Sequence, residues 1–112
     1  MKLITAVVKP FTVSDIREAL AAIGVHGITV TDAQGAGRQI AAVEYYRGAK
    51  FSSAFVAKAK VEVLVADRDV EKALEAVVEA AYTGEVGDGK VWVSEVSRVI
   101  RVRTGETGED AI

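Results

Sequence analysis

Three consecutive stretches, Val61-Glu-Val-Leu-Val65, Val70-Glu-Lys-Ala-Leu-Glu-Ala-Val-Val-Glu-Ala-Ala81 and Thr83-Gly-Glu-Val-Gly-Asp-Gly-Lys-Val-Trp-Val93, set the architecture of this chain. In the first, valines alternate at 61, 63 and 65, the period of a strand with a covered face. In the second, Val70, Leu74, Val77, Val78 and Ala81 fall at helical spacing, and Asp67 or Asp69 is placed to cap. The third opens as a glycine-rich loop, about residues 82–90, and passes into Val91, Trp92 and Val93, residue types that suit a strand. That strand is read as starting near Val91 and running to about Val99 or beyond, with Trp92, Val96, Ile100 and Val102 on one parity. Strand, helix, loop and strand make a βαβ unit.

The N-terminal part follows the same plan. Lys2 to Lys9 is an apolar run ended by Pro10, which cannot continue a central ladder. Its two parities, Ile4, Ala6 and Val8 against Leu3 and Val7, are both apolar, as expected of a strand covered on both faces. Val13, Ile16, Leu20 and Ile23 form a helical stripe, with Thr12 and Asp15 as a capping pair and Gly24 as the stop. Ile28 and Val30 alternate with Thr29 and Thr31 in a second strand that runs into Gly35-Ala-Gly37. The order βαβ, long insertion, βαβ predicts an α+β, ferredoxin-like fold, an antiparallel sheet with two helices on one face. The helices cover one face only, so an oligomer is expected to cover the other.

With 112 residues, half of them hydrophobic and 27% charged, the chain is read as one folded domain. A formal charge of −2 excludes a general nucleic-acid binder. No long apolar run or signal-peptide pattern is present, which predicts a soluble cytoplasmic protein without direct membrane insertion. The absence of cysteine removes disulfides, thiolate catalysis and thiolate zinc sites, and a single histidine removes most imidazole chemistry. His26, beside Gly27 in a turn, is assigned no catalytic role.

The chemistry-bearing residues point to an anion. Gly84, Gly87 and Gly89 let backbone N–H groups approach a phosphate, and Lys90 adds a mobile positive charge. The spacing matches the first part of a P-loop, but Val91 stands where a magnesium-binding Ser or Thr would be needed, and a strand follows instead of a helix. On an extended strand, Arg101 and Arg103 would project from one face with Cα atoms about 6 to 7 Å apart, a spacing suited to a polyphosphate. Gly35, Gly37, Arg38 and Gln39 form a second glycine pair beside a basic residue. Lys58 opens the strand that follows the long insertion. Asp88 has no second carboxylate, histidine or serine at a catalytic spacing, so binding is expected and not catalysis.

Taken together, Val-Lys9-Pro10-Phe11, Gly35-x-Gly37-Arg38-Gln39, Tyr46-Arg47-Gly48-Ala49, Thr83-Gly84-x-x-Gly87-Asp88-Gly89-Lys90-Val-Trp92 and Val-Ile-Arg101-Val-Arg103-Thr-Gly-Glu resemble the PII nitrogen-regulatory signal transduction proteins over essentially the whole chain. The resemblance implies a homotrimer that senses ATP or ADP in clefts between neighbouring subunits. It places Gly87, Asp88, Gly89 and Lys90 along the phosphates with Gly35, Gly37 and Arg38. From the adjacent subunit it brings Arg101 and Arg103 to the phosphates and Thr29 to the adenine, with Leu64 contacting the base through its backbone. It also implies that Gln39 helps hold Mg2+ with ATP and 2-oxoglutarate, and that Lys58 pairs with the far carboxylate of 2-oxoglutarate. The insertion, about residues 37–56, then corresponds to the T-loop, which docks on an ammonium channel, another transporter or an enzyme, with Arg47 as a candidate contact and membrane association only through such a partner. The remaining C-terminal segment spans about residues 101–112.

The departures from the family pattern lie in that loop. Phe51 replaces the modifiable tyrosine, which excludes uridylylation or adenylylation there. Ile40 and Ala41 replace lysine and glycine where backbone amides meet 2-oxoglutarate. Two alternatives therefore stand beside the main reading. One is a divergent paralogue that senses adenine nucleotides with another small acid such as bicarbonate and regulates a non-ammonium transporter. The other is a structural trimeric interaction protein without ligand sensing.

Overall fold

A computed structural model describes residues 1–36, 45–46, 49–50 and 55–112. Strand β1 (Lys2–Val8) is followed by a 3-10 turn at Pro10–Thr12, helix α1 (Val13–Ala22) and strand β2 (Thr29–Gly35). Two short paired strands, β3 (Tyr45–Tyr46) and β4 (Ala49–Lys50), lie within the insertion, and β5 (Val56–Val65) follows. A second 3-10 turn at Asp67–Asp69 leads into α2 (Val70–Ala81), then β6 (Gly89–Glu95), and a 3-10 helix at Gly108–Ala111 ends the chain. The main sheet has the order β2-β5-β1-β6 with every pair antiparallel. This is the expected ferredoxin-like arrangement.

The alternation read from sequence becomes two chemically different faces. Ile4, Ala6 and Val8 of β1 and Ala59, Val61, Val63 and Val65 of β5 are buried against Ile16 and Leu20 of α1 and Ala73, Val77 and Ala81 of α2. The register pairs Ala6 with Val61 on one side and with Val91 on the other, so small and branched residues fill rows across the central strand. The opposite parity carries Leu3, Thr5, Val7, Leu64 and Trp92 on a face that no helix covers. Thr5 is nevertheless buried, in one row with Glu62 and Trp92, whereas Leu3, Val7 and Leu64 are half-buried.

Helix α1 stops where Gly24 adopts φ +86 and the Val25 N–H reaches back to the Leu20 carbonyl at 2.9 Å. Six-residue closure of this kind is the usual helix stop built on a left-handed residue. The predicted side-chain caps do not form. Thr12 donates its hydroxyl to the Lys9 carbonyl at 2.8 Å and makes no cap hydrogen bond to the helix N–H groups. Asp69 pairs with Lys72 at 3.2 Å, and Asp67 takes the Lys2 ammonium at 3.1 Å. Val78 lies on the solvent side of α2, and Ala73 takes the buried place in the stripe.

The last strand differs most from expectation. β6 begins at Gly89 and ends at Glu95, because its ladder partner β1 runs out: Val8 pairs with Gly89 and Lys2 with Glu95. Beyond Glu95 the Val96 N–H still reaches the Met1 carbonyl at 3.1 Å, after which residues 97–112 make backbone bonds within their own segment, and Glu109 pairs with Arg68 at 3.2 Å. The Gly105 N–H reaches the Arg101 carbonyl at 2.8 Å, Arg101 N–H the Glu106 carbonyl at 2.9 Å, and Ile100 bridges Thr107. Arg101 and Arg103 therefore do not share one face of an extended strand; residues 102–104 form a turn.

Two glycines with left-handed backbones separate strain from close approach. A Cβ on Gly24 would meet nothing within 4 Å, whereas one on Gly89, at φ +102, would lie 1.8 Å from the Val7 carbonyl oxygen. Gly24→Ala is expected to cost about 1 kcal/mol, the left-handed penalty alone. Gly89→Ala is expected to cost about 3 kcal/mol or more, since backbone must also move. Urea unfolding of the two variants measures the difference, and equal costs would contradict the β1–β6 register.

Candidate functional site

Where β1 ends, both neighbouring strands bring a charged residue to its side. Val8 pairs with Ala59 and with Gly89, so one step further Lys9 stands between Lys58 and Asp88. Residues directly opposite in an antiparallel sheet share a face, and this row lies on the helix-free face. The glycine-rich loop folds over it.

Asp88 is turned into its own loop. Its Oδ2 accepts the N–H groups of Thr83 at 2.8 Å and Gly84 at 2.9 Å, and its Oδ1 accepts the Thr83 hydroxyl and lies 3.2 Å from the Lys9 ammonium. The hydrogen bonds from Thr83, first its hydroxyl and then its N–H, with lesser help from Gly84 and Lys9, hold the carboxyl far below the usual carboxylate range. Thr83 in turn accepts from Lys9 Nζ at 3.1 Å and from the Glu85 N–H at 3.2 Å. The expected place of Asp88 in the loop is retained, but its carboxylate braces the loop.

Lys58 is only 6% exposed and donates to the Gly87 carbonyl. Burial, and then the charge of Lys9, push its ammonium below the usual lysine range, while Asp88 pulls the other way. No carboxylate among the described residues pairs with it directly. Gly35 lies against its stem: a Cβ there would be 3.1 Å from Lys58 Cγ. A Cβ on Gly87, at φ +92, would be 3.4 Å from Lys58 Nζ and 3.6 Å from Lys9 Cε. Glycine at 35 and 87 thus keeps room around two ammonium groups. A buried cation bonded, among the described residues, to a carbonyl and to no carboxylate, beside a loop of left-handed glycines, has the chemistry of an anion site. Lys90 is exposed at the start of β6.

A second concavity lies at the other end of the same face. A groove of about 680 Å³ is lined by Leu3, Glu62, Leu64, Gly27, Ile28 and Thr29, and the C-terminal residues Glu109, Ala111 and Ile112 also border it. Arg101 is tied to that C-terminal segment, with one guanidinium nitrogen 3.1 Å from Glu106 and the other donating to the Ile112 carbonyl at 3.3 Å. Arg103 is exposed in the adjoining turn.

The expected site residues therefore form two groups. Gly35, Lys58, Gly87, Asp88, Gly89 and Lys90 gather at one end of the helix-free face. Thr29 and Leu64 line the groove at the other, with Arg101 beside the segment that borders it. Leu64 and Lys58 are six residues apart on one strand, about 20 Å at strand rise. Gly37, Arg38, Gln39 and Arg47 lie outside the described residues, as do Ile40, Ala41 and Phe51. Among the described residues no group of three or more His, Cys, Asp or Glu could hold a metal ion. No helix among them is long and apolar enough to cross a membrane.

Sequence reasoning passed over Lys9 and Thr83 as site residues. Their signal was positional: Pro10 marks the end of β1, and pairing β1 with strands that meet Lys58 and Asp88 puts Lys9 between them.

A sequence model of the family described as nitrogen regulatory protein P-II matches residues 1–106. The chain is 50% identical over 112 residues to nitrogen regulatory protein GlnK of Escherichia coli (strain K12), and 54% identical over the same length to nitrogen regulatory protein P-II of Rhizobium meliloti (strain 1021); each match covers all of both chains. Among solved structures, Arabidopsis thaliana PII bound to citrate superposes with a TM-score of 0.80 at 40% identity, covering 98% of this chain and 87% of that one.

The brace at Asp88 has a pH consequence. A carboxyl held below its unfolded value contributes stability that is fully present above about pH 4, the unfolded range, and is lost as pH falls through the folded value. Asp88→Asn is expected to lower stability at pH 7, with the deficit constant from pH 8 to about pH 5 and shrinking in more acidic solution. Denaturant midpoints of both proteins across that range test it; a deficit that vanishes between pH 8 and 6 would contradict the assignment.

Proposed function

The chain belongs to the P-II family of nitrogen-regulatory signal transduction proteins, and from this we propose that it is a homotrimer that senses ATP and ADP in clefts shared by neighbouring subunits, acting in the cytoplasm. The observation that carries the reading is the division of the site. One end of the helix-free face offers ammonium groups and a glycine loop for phosphates, the other an apolar groove of suitable size for a base, and one subunit holds them a strand's length apart. A neighbour that covers this face would supply the missing half to each. It would also bury Leu3, Val7 and Leu64, which no helix covers.

Within that cleft, Gly87, Gly89 and Lys90 with Gly35, Gly37 and Arg38 would hold the phosphates. Arg101 and Arg103 of the adjacent subunit would complete the anion cage, with Thr29 and the Leu64 backbone on the adenine. Magnesium, held by Gln39 with ligand oxygens, would neutralise phosphate charge. The Lys58 ammonium, buried and without a directly paired carboxylate among the described residues, suits the distal carboxylate of 2-oxoglutarate. Another small acid such as bicarbonate is the second reading, favoured by Ile40 and Ala41 in the expected amide positions and by the citrate in the Arabidopsis relative. The output would pass through residues 37–56 to an ammonium channel, another transporter or an enzyme, with Arg47 as the contact.

Different loop populations would follow from unequal binding of the ligands to them.

Complementation tests the shared site. Arg103→Ala is expected to weaken ATP binding by about 1.5 to 3 kcal/mol, the scale of a hydrogen bond to a charged group, and Lys90→Met to weaken it comparably. Mixed trimers of the two variants regenerate one cleft with Lys90 from one subunit and Arg103 from the next, so a fraction of sites should regain the original ATP affinity in calorimetry. No recovery on mixing would contradict a cleft between subunits. Lys58→Ala is expected to abolish any effect of 2-oxoglutarate on ATP affinity while retaining ADP binding.

A further inference from the structure

We propose that Lys9 is a positioning residue of the anion site: by bonding both Thr83 and Asp88 it holds the loop 83–88 in its receptive form and keeps Lys58 unpaired for the ligand. The proposal rests on the reading that this loop binds phosphate. Lys9 itself is not placed on any ligand.

The argument begins with the carboxylate of Asp88. It lies in a loop meant to receive an anion, where a free negative charge would repel the ligand. The structure directs this charge inward, onto the Thr83 N–H, the Gly84 N–H, the Thr83 hydroxyl and Lys9. Among these, Lys9 alone carries a positive charge. The hydroxyl of Thr83 has one proton, which goes to Asp88, so it meets Lys9 and the Glu85 N–H as an acceptor. Lys9, Thr83 and Asp88 thus form a closed triangle in which each bonds the other two.

The second part concerns Lys58. Both lysines approach Gly87, and each contributes to the field around Asp88. Because Lys9 takes the carboxylate, Lys58 is left bonded to the Gly87 carbonyl, a dipole and not a charge. Without the Lys9 ammonium, Asp88 would become the nearest counter-ion for Lys58. The small cluster would then fall from one net positive charge to none, and the cation that should meet the ligand would be neutralised from within. Lys9 can fill this role because it extends the central strand, whose last residue Val8 is paired on both edges.

Calorimetric titration of ATP, ADP and AMP into the unaltered protein, Lys9→Met and Lys9→Arg tests the role. Lys9→Met is expected to lose about tenfold in ATP and ADP affinity, the lower end of what a charge-assisted hydrogen bond supplies. AMP affinity should change less than about threefold, since its base-side contacts are intact, and Lys9→Arg should recover most of the loss. Unchanged ATP affinity in Lys9→Met, an equal loss for AMP, or no recovery in Lys9→Arg would overturn the proposal while leaving the nucleotide site standing. Absence of binding by the unaltered protein would overturn the site reading and this proposal together. Should Lys9→Met fail to fold by circular dichroism, Thr83→Val breaks the same set from the loop side; the same selective loss supports the proposal, and an unchanged or uniform affinity overturns it.

Discussion

Seven residues of β1 pair with β5 along one edge and with β6 along the other, so both flanking strands are released from the ladder where β1 stops. The placement of Lys58, Lys9 and Asp88 follows from this shared boundary. So does the shape of the loop before β6, because the chain must arrive at Gly89 close enough to the Val7 carbonyl that no Cβ fits. At the other end the same limit operates in reverse. β6 ends opposite Lys2, and once the Val96 N–H has reached the Met1 carbonyl the segment that follows turns back to pair its backbone groups with one another. The ladder of one short central strand therefore fixes the anion site at one end and frees the arginine segment at the other.

The helix-free face joins these ends into one functional surface. It carries buried Thr5 in its middle, the glycine loop at one end and the groove lined by half-buried Leu3 and Leu64 at the other. A ferredoxin-like subunit has only two helices and cannot cover both sides of a four-stranded sheet. The unfinished face is thus a consequence of the fold's size, and the site is built into that deficiency. In the proposed trimer, assembly and ligand capture would draw on the same residues, and each half of the site would be completed by a neighbour.

Much of this was legible in the sequence. Valine alternation at 61 to 65 and the apolar stripes at Ile16 and Leu20 and at Val77 and Ala81 are local patterns, and the elements formed where they indicated. The C-terminus was misread for a nonlocal reason. Val96, Ile100 and Val102 continue a strand-like parity past the point where β1 has residues left to pair, and strand length is decided by the partner. Side-chain capping failed for a backbone reason: the 3-10 turns that precede both helices leave Thr12 and Asp69 with helical φ/ψ, whereas a capping residue is usually extended. Gly24 and Gly89 look alike in sequence, yet only the second is pressed against backbone. Lys9 and Thr83 stayed hidden as site residues because their roles exist only once the register aligns them with Asp88.

The charge arrangement also explains why a glycine loop that looks like part of a P-loop need not behave as one. In a loop leading into a helix, the helix N-terminus supplies positive potential to the phosphates. Here the loop leads into a strand, which has almost no net dipole, so the potential has to come from side chains on the neighbouring strands. Lys58 supplies it from β5, and Lys9, at the end of β1, compensates the carboxylate of Asp88. The ammonium of Lys58 is displaced below its ordinary range by burial and by Lys9 together, a cost that an arriving anion relieves. In the proposed reading, the positive charge gathered at the end of the central strand is what a phosphate or a small acid would meet there.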